Sequence, residues 1–119
     1  MVKIQNSRYD LEDRTLLFSK DIISLIRILS KNVINLKLID QLIRSATSIG
    51  ANYREANETE TKKDFKFRIR ICRRECKETI YWLNLLSDAN ENFEERIKSQ
   101  IGEATELMKI FATIAEKSK

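Results

Sequence analysis

No proline interrupts the 119 residues of this chain, and glycine occurs only at Gly50 and Gly102. Sheets need frequent tight turns, and tight turns draw on Gly and Pro for backbone shapes that other residues reach only at a cost. What remains is rich in Leu, Ile, Lys, Arg and Glu, which helices favour or tolerate. The chain is therefore expected to be all-α, with long helices and short connections. Its length suits a single domain, residues 1–119, which would bury roughly two-thirds of its unfolded surface.

Apolar residues recur at helical spacing in four stretches. Leu11, Phe18, Ile22, Leu25, Ile26 and Leu29 predict a first helix over about 11–30, its other face mostly polar. Ile39, Leu42, Ile43, Ala46, Ile49, Gly50 and Tyr53 predict a second over about 36–56, with Asn35 as its N-cap. Phe65, Ile69, Cys72, Cys76, Ile80 and Leu83 predict a third over about 62–88, opened by a capping box between Thr61 and Asp64. Phe93, Ile97, Ile101, Ala104, Met108, Phe111 and Ala115 predict a fourth over about 93–116, with Asn92 and Glu95 as the capping pair. Joined by short connections, four such helices form an antiparallel up-down-up-down four-helix bundle.

Several chemistries are disfavoured by residue type. Cys72 and Cys76 share one helix face in a geometry that suits packing better than a disulfide, so free core thiols are expected. With no histidine and no third cysteine, no metal site is expected, and no cofactor. Met1–Asp10 lacks the apolar stretch of a signal peptide, and the longest uncharged runs, Ser45–Tyr53 and Thr79–Ser87, are too short to span a bilayer. A cytoplasmic protein without membrane contact is the expectation.

The net charge of +4 is unevenly placed. Lys62, Lys63, Lys66, Arg68, Arg70, Arg73, Arg74 and Lys77 face only Asp64 and Glu75 within their segment, a local +6 that leaves −2 for the rest. An electrostatic partner would be met there. On a helical wheel Lys62, Lys66, Arg70, Arg73 and Lys77 fall within about 80° of one another, a ridge able to meet successive phosphates. Lys63 and Arg74 extend the candidate nucleic-acid surface. No RNA-recognition signature, glycine-rich loop or stacking-aromatic platform accompanies it in the sequence pattern, so base-specific reading is not expected.

The third helix carries a second apolar stripe, Phe67, Ile71, Trp82 and Leu85, about 120 to 150° from the first. One bundle cannot bury both, which points to a subunit contact. The second helix bears a ridge of Gln41, Arg44, Ser45, Ser48, Asn52 and Glu55, whose short members would let another helix approach closely.

Two segments carry a family resemblance. Arg44-Ser45-Ala46-Thr47-Ser48-Ile49-Gly50-Ala51-Asn52-Tyr53-Arg54-Glu55-Ala56 resembles the central motif of a bacterial four-helix-bundle family, many of whose members are encoded within intervening sequences of 23S ribosomal RNA genes. Arg73-Arg74-Glu75-Cys76-Lys77-Glu78-Thr79-Ile80-Tyr81-Trp82-Leu83 resembles that family's second motif, and the layout matches over nearly the whole chain. The family is similar to the accessory subunits of diversity-generating retroelements, pentameric barrels that bind nucleic acid and a reverse transcriptase through positive surfaces. The resemblance implies a homo-oligomer, a pentamer, and a polar signature of Arg44, Ser48, Asn52, Glu55 and Glu78. Gly50 and Cys72 occupy positions that vary in the family, so neither is read as functional.

The leading functional expectation is a non-catalytic oligomer binding structured RNA through the basic ridge. The alternative is a protein-interaction scaffold or accessory subunit that binds no nucleic acid. An enzyme is disfavoured because histidine is absent; the residual case is Arg44, Glu55 and Glu78 acting on an anionic small molecule.

Overall fold

The computed structural model describes residues 7–118; residues 1–6 and 119, which the sequence reading placed in the same single domain, lie outside the described residues. Four helices occupy most of this span: α1 (Ser7–Ile28), α2 (Val33–Ala56), α3 (Lys62–Ala89) and α4 (Glu94–Lys117), the last preceded by a 3-10 turn at Glu91–Phe93. Each helix touches its neighbours in the chain, and α4 closes against α1, so α1 lies diagonal to α3 and α2 to α4. Connections of a few residues oblige successive helices to run antiparallel. The packing is uneven, with α3 wedged along both α2 and α4 while α1 leans more sparsely on the rest.

The periodic stripes form the core. Phe18, Ile22, Leu25, Leu42, Ile49, Ile69, Leu83, Ile97 and Phe111 are fully buried, and Tyr53 meets Phe111 with ring centroids 5.7 Å apart. Ile43 is exposed and Ser45 is buried in its stead, on α4 Leu107 is fully buried, and Ile26, Phe65, Ile80, Phe93, Ile101 and Met108 pack against the core only half-buried. Gly50 lies where α2 crosses α1: a Cβ there would sit 3.0 Å from Thr15 Oγ1. Close helix approach therefore explains this glycine.

Cap assignments held at one helix and failed at two. Thr61 Oγ1 accepts from the Asp64 amide at 3.0 Å, as expected. Helix α2 starts about a turn earlier than expected because Asn32 caps it, accepting from the Asn35 amide at 2.8 Å. Asn35 is then free for another role. Its buried side chain donates to Ser30 O and Asn90 Oδ1, both at 2.8 Å, and accepts from Asn90 Nδ2 at 2.9 Å. Asn92 caps nothing, because the 3-10 turn engages the local amides through Phe93 N to Asn90 O, and Phe93 stands at the α4 N-cap without a side-chain bond.

Cys72 and Cys76 are free and fully buried, and the Cys72 thiol donates weakly to Ile49 O. Burial pushes Cys72 up from 9.0 to about 12 and pushes Cys76 in the same direction. Native protein at pH 8 should therefore resist a thiol-labelling reagent, and both thiols should label once it unfolds. Because the folded state holds these protons more tightly, their contribution to stability is complete below about pH 9 and declines as pH rises above it. An alkaline denaturation series in which stability does not fall beyond that pH would contradict this.

Candidate nucleic-acid interface

Helix α3 forms because its 28 residues lack any breaker, start at a threonine cap and bury one stripe. That buried stripe fixes which side chains point outward. Lys62, Lys63, Arg70, Arg73, Arg74 and Lys77 are exposed and Lys66 is half-buried. None of the seven makes an ion pair or a side-chain hydrogen bond among the described residues. Three acids of α4 are engaged away from them: Glu103 grips Arg14 at 2.7 and 2.9 Å, Glu94 pairs with Lys98, and Glu106 with Lys109. Uncompensated cations on one helix face leave a strongly positive surface. Arg70, Arg73, Arg74 and Lys77 line a groove of about 510 Å³ floored by Ile80 and by Met108 of α4.

The eighth cation of the segment behaves differently. Arg68 donates to Asn52 Oδ1 at 2.9 Å, and Asn52 in turn donates to the carbonyl and hydroxyl oxygens of Ser48 at 2.9 Å each. Further along, Thr79 Oγ1 donates to Ser45 Oγ at 2.9 Å, and Arg44 reaches Glu78 at 2.5 Å. The helix that approaches the polar ridge of α2 is therefore α3 of the same chain. Four of the five signature residues, Arg44, Ser48, Asn52 and Glu78, lie on this seam, while Glu55 is exposed beside it. Sequence reasoning missed Glu75: it is 6% exposed, its Oε1 accepts no hydrogen bond, and a 3.6 Å ion pair with Arg44 is its closest charge contact. Its position one turn before Glu78 and on the same side was the available signal.

The second apolar stripe of α3 divides. Phe67 and Leu85 are exposed, whereas Ile71 is half-buried and Trp82 packs against the core with its Nε1 buried and without a partner. The outer surface of α1, expected to be mostly polar, instead exposes Leu16, Leu17, Ile23 and Ile28. The contacts of Thr15 with Gly50 and Glu12 with Asn57 set the α1–α2 register and put Ile23 level with Ile43. Leu16 and Ile23 of α1 and Leu36 and Ile43 of α2 thus border one outer groove.

Among the described residues no group of three or more His, Cys, Asp or Glu could hold a metal, and no helix is long and apolar enough to cross a membrane. A family model described as 23S rRNA-intervening sequence protein matches residues 9–113. A solved structure from Bacteroides thetaiotaomicron, described as a protein of unknown function from the S23 ribosomal protein family, is 32% identical. Its match covers 93% of this chain and 99% of that one with a TM-score of 0.84. No curated protein matches.

Proposed function

The chain belongs to the 23S rRNA-intervening sequence protein family, and on that premise we propose that it is a non-catalytic oligomer that binds structured RNA through the basic face of α3. The observation that carries this reading is the set of seven cations without a counterion among the described residues. Keeping so many like charges adjacent on one face costs stability through repulsion, and an anionic polymer removes that cost. Absence of histidine and the engagement of Arg44 and Glu78 with each other support a binding role over acid–base chemistry. Titration of a structured RNA at low salt tests the reading. Saturable binding is expected, and no binding would overturn it.

Association of copies is the second part of the proposal, and a pentamer is the number favoured by resemblance. Leu16, Ile23, Leu36 and Ile43 offer an apolar strip of the kind that subunit interfaces cover. A ring of copies would repeat the basic face and multiply weak phosphate contacts. Ile23→Glu with Ile43→Glu should convert the oligomer to a 14.0 kDa monomer with unchanged helix content, as read by solution mass and circular dichroism. An oligomer unchanged by both substitutions would move the contact elsewhere, with Phe67 and Leu85 of α3 the next surface to alter. A protein-interaction scaffold without nucleic acid is the second reading, favoured by the same apolar strip.

A further inference from the structure

Two exposed aromatic rings stand in line with the α3 cations. Phe67 is 62% and Tyr81 58% exposed, and between them lie Arg70, Arg74 and Lys77. On the helical wheel Lys63, Phe67, Arg70, Arg74, Lys77 and Tyr81 fall within about 80°, so rings and cations share one outward line about 21 Å long from Phe67 to Tyr81. No free carboxylate lies on that line: Glu75 is buried and Glu78 is held by Arg44. Tyr81 is also braced, because Trp82 meets it edge-on with centroids 5.0 Å apart and planes at 75°. A braced ring stays presented to solvent instead of folding down onto the helix.

We infer that this line is a track for single-stranded nucleic acid, the unpaired loops and ends of an RNA, with Phe67 and Tyr81 stacking bases and Arg70, Arg74 and Lys77 holding the phosphates between them. The inference rests on the nucleic-acid reading above and narrows its substrate class. Rings alternating with cations suit a single strand because every unpaired base offers a π-face, so stacking tolerates any sequence. A duplex keeps those faces stacked internally, and its deep A-form major groove excludes side chains, which leaves rings such as Phe67 and Tyr81 nothing to bind. The polar seam of α2 and α3 flanks the line without crossing it, so the track does not compete with the contacts that hold Arg44, Asn52 and Arg68.

The test compares an unstructured oligoribonucleotide of about ten nucleotides with a duplex of equal length at the same low salt, for wild type, for Phe67→Ala with Tyr81→Ala, and for the charge-reversed variant Lys66→Glu, Arg70→Glu, Arg73→Glu. Wild type should bind the single strand about tenfold or more tightly than the duplex, and the aromatic variant should lose that preference while keeping its duplex affinity. Trp82, the sole tryptophan, touches Tyr81, so its fluorescence should respond to the single strand alone. Equal affinity for both probes, with the aromatic variant unaffected and charge reversal still abolishing binding, would overturn the track and leave the electrostatic reading standing. If neither probe binds wild type, both readings are overturned.

Discussion

Lys66→Glu, Arg70→Glu and Arg73→Glu together abolish RNA binding while leaving helix content and oligomer mass unchanged; this is the expected result for the surface on α3. The substitutions remove three of seven unpaired cations and add three carboxylates beside the remaining four. Non-specific affinity for nucleic acid comes almost wholly from phosphate neutralisation, so reversal should weaken binding by on the order of a thousandfold at low salt and flatten the salt dependence. Arg70 and Arg73 are exposed and have no partner among the described residues whose loss could confuse the outcome, and Lys66 is half-buried. In an oligomer each copy carries the change, so the effect compounds around the assembly. Retained binding, measured by titration beside circular dichroism, would mean that the contact surface lies off α3.

The second large effect concerns stability. Asn35→Ala should destabilise the bundle by about 2 to 3 kcal/mol, because it breaks a reciprocal amide pair and leaves polar groups at the bundle's end short of partners. Asn35 is 1% exposed and ties together three places: Ser30 in the α1–α2 connection, its own helix, and Asn90, where α3 hands over to the 3-10 turn. Asn90 is also anchored to Leu86 O at 2.8 Å, so losing its partner does not release it to pair elsewhere. The loss should lower Tm by on the order of 10 °C, with an unchanged denaturant m-value. Asn90→Ala should cost a similar amount, and the double variant less than the sum, since both break one pair. A cost under about 0.5 kcal/mol for Asn35→Ala, typical of a surface site, would contradict this account.

Much of the architecture was legible because it depends on spacing alone. Four runs of apolar residues gave four helices, the missing proline excluded breaks inside them, and Thr61 and Asp64 marked the start of α3. What escaped depends on which helices meet. Asn35 and Asn92 both have the residue type of an N-cap, yet Asn32 takes that role at α2 and a 3-10 turn displaces it at α4. Local pattern cannot choose among neighbouring asparagines when the winner is decided by a bond to Asn90 at the far end of α3. Ser45 read as part of an outward polar ridge because serine carries little hydropathy, and its burial follows only from the proximity of Thr79. The exposed leucines and isoleucines of α1 were hidden by averaging over a helix that does contain a clean core stripe.

The candidate site shows the same division. The basic segment and its helical ridge could be read from composition and wheel angle, as could the second apolar stripe. That Trp82 turns inward while Phe67 and Tyr81 stay out could not, since these three differ little in type and their exposure depends on how far α2 wraps α3. The freedom of the cations was also undecidable beforehand: α4 has ample carboxylates, and only the fold sends Glu103 to Arg14 and keeps Glu94 and Glu106 on their own helix.

The central claim, that α3 meets phosphate, is tested most directly by measuring RNA affinity across a salt series. Wild-type Kd should weaken by roughly a thousandfold between 50 and 200 mM salt, a straight line on logarithmic axes whose slope reports about six phosphate contacts. Affinity that stays flat over that range, or binding that never appears at the lowest salt, would contradict it.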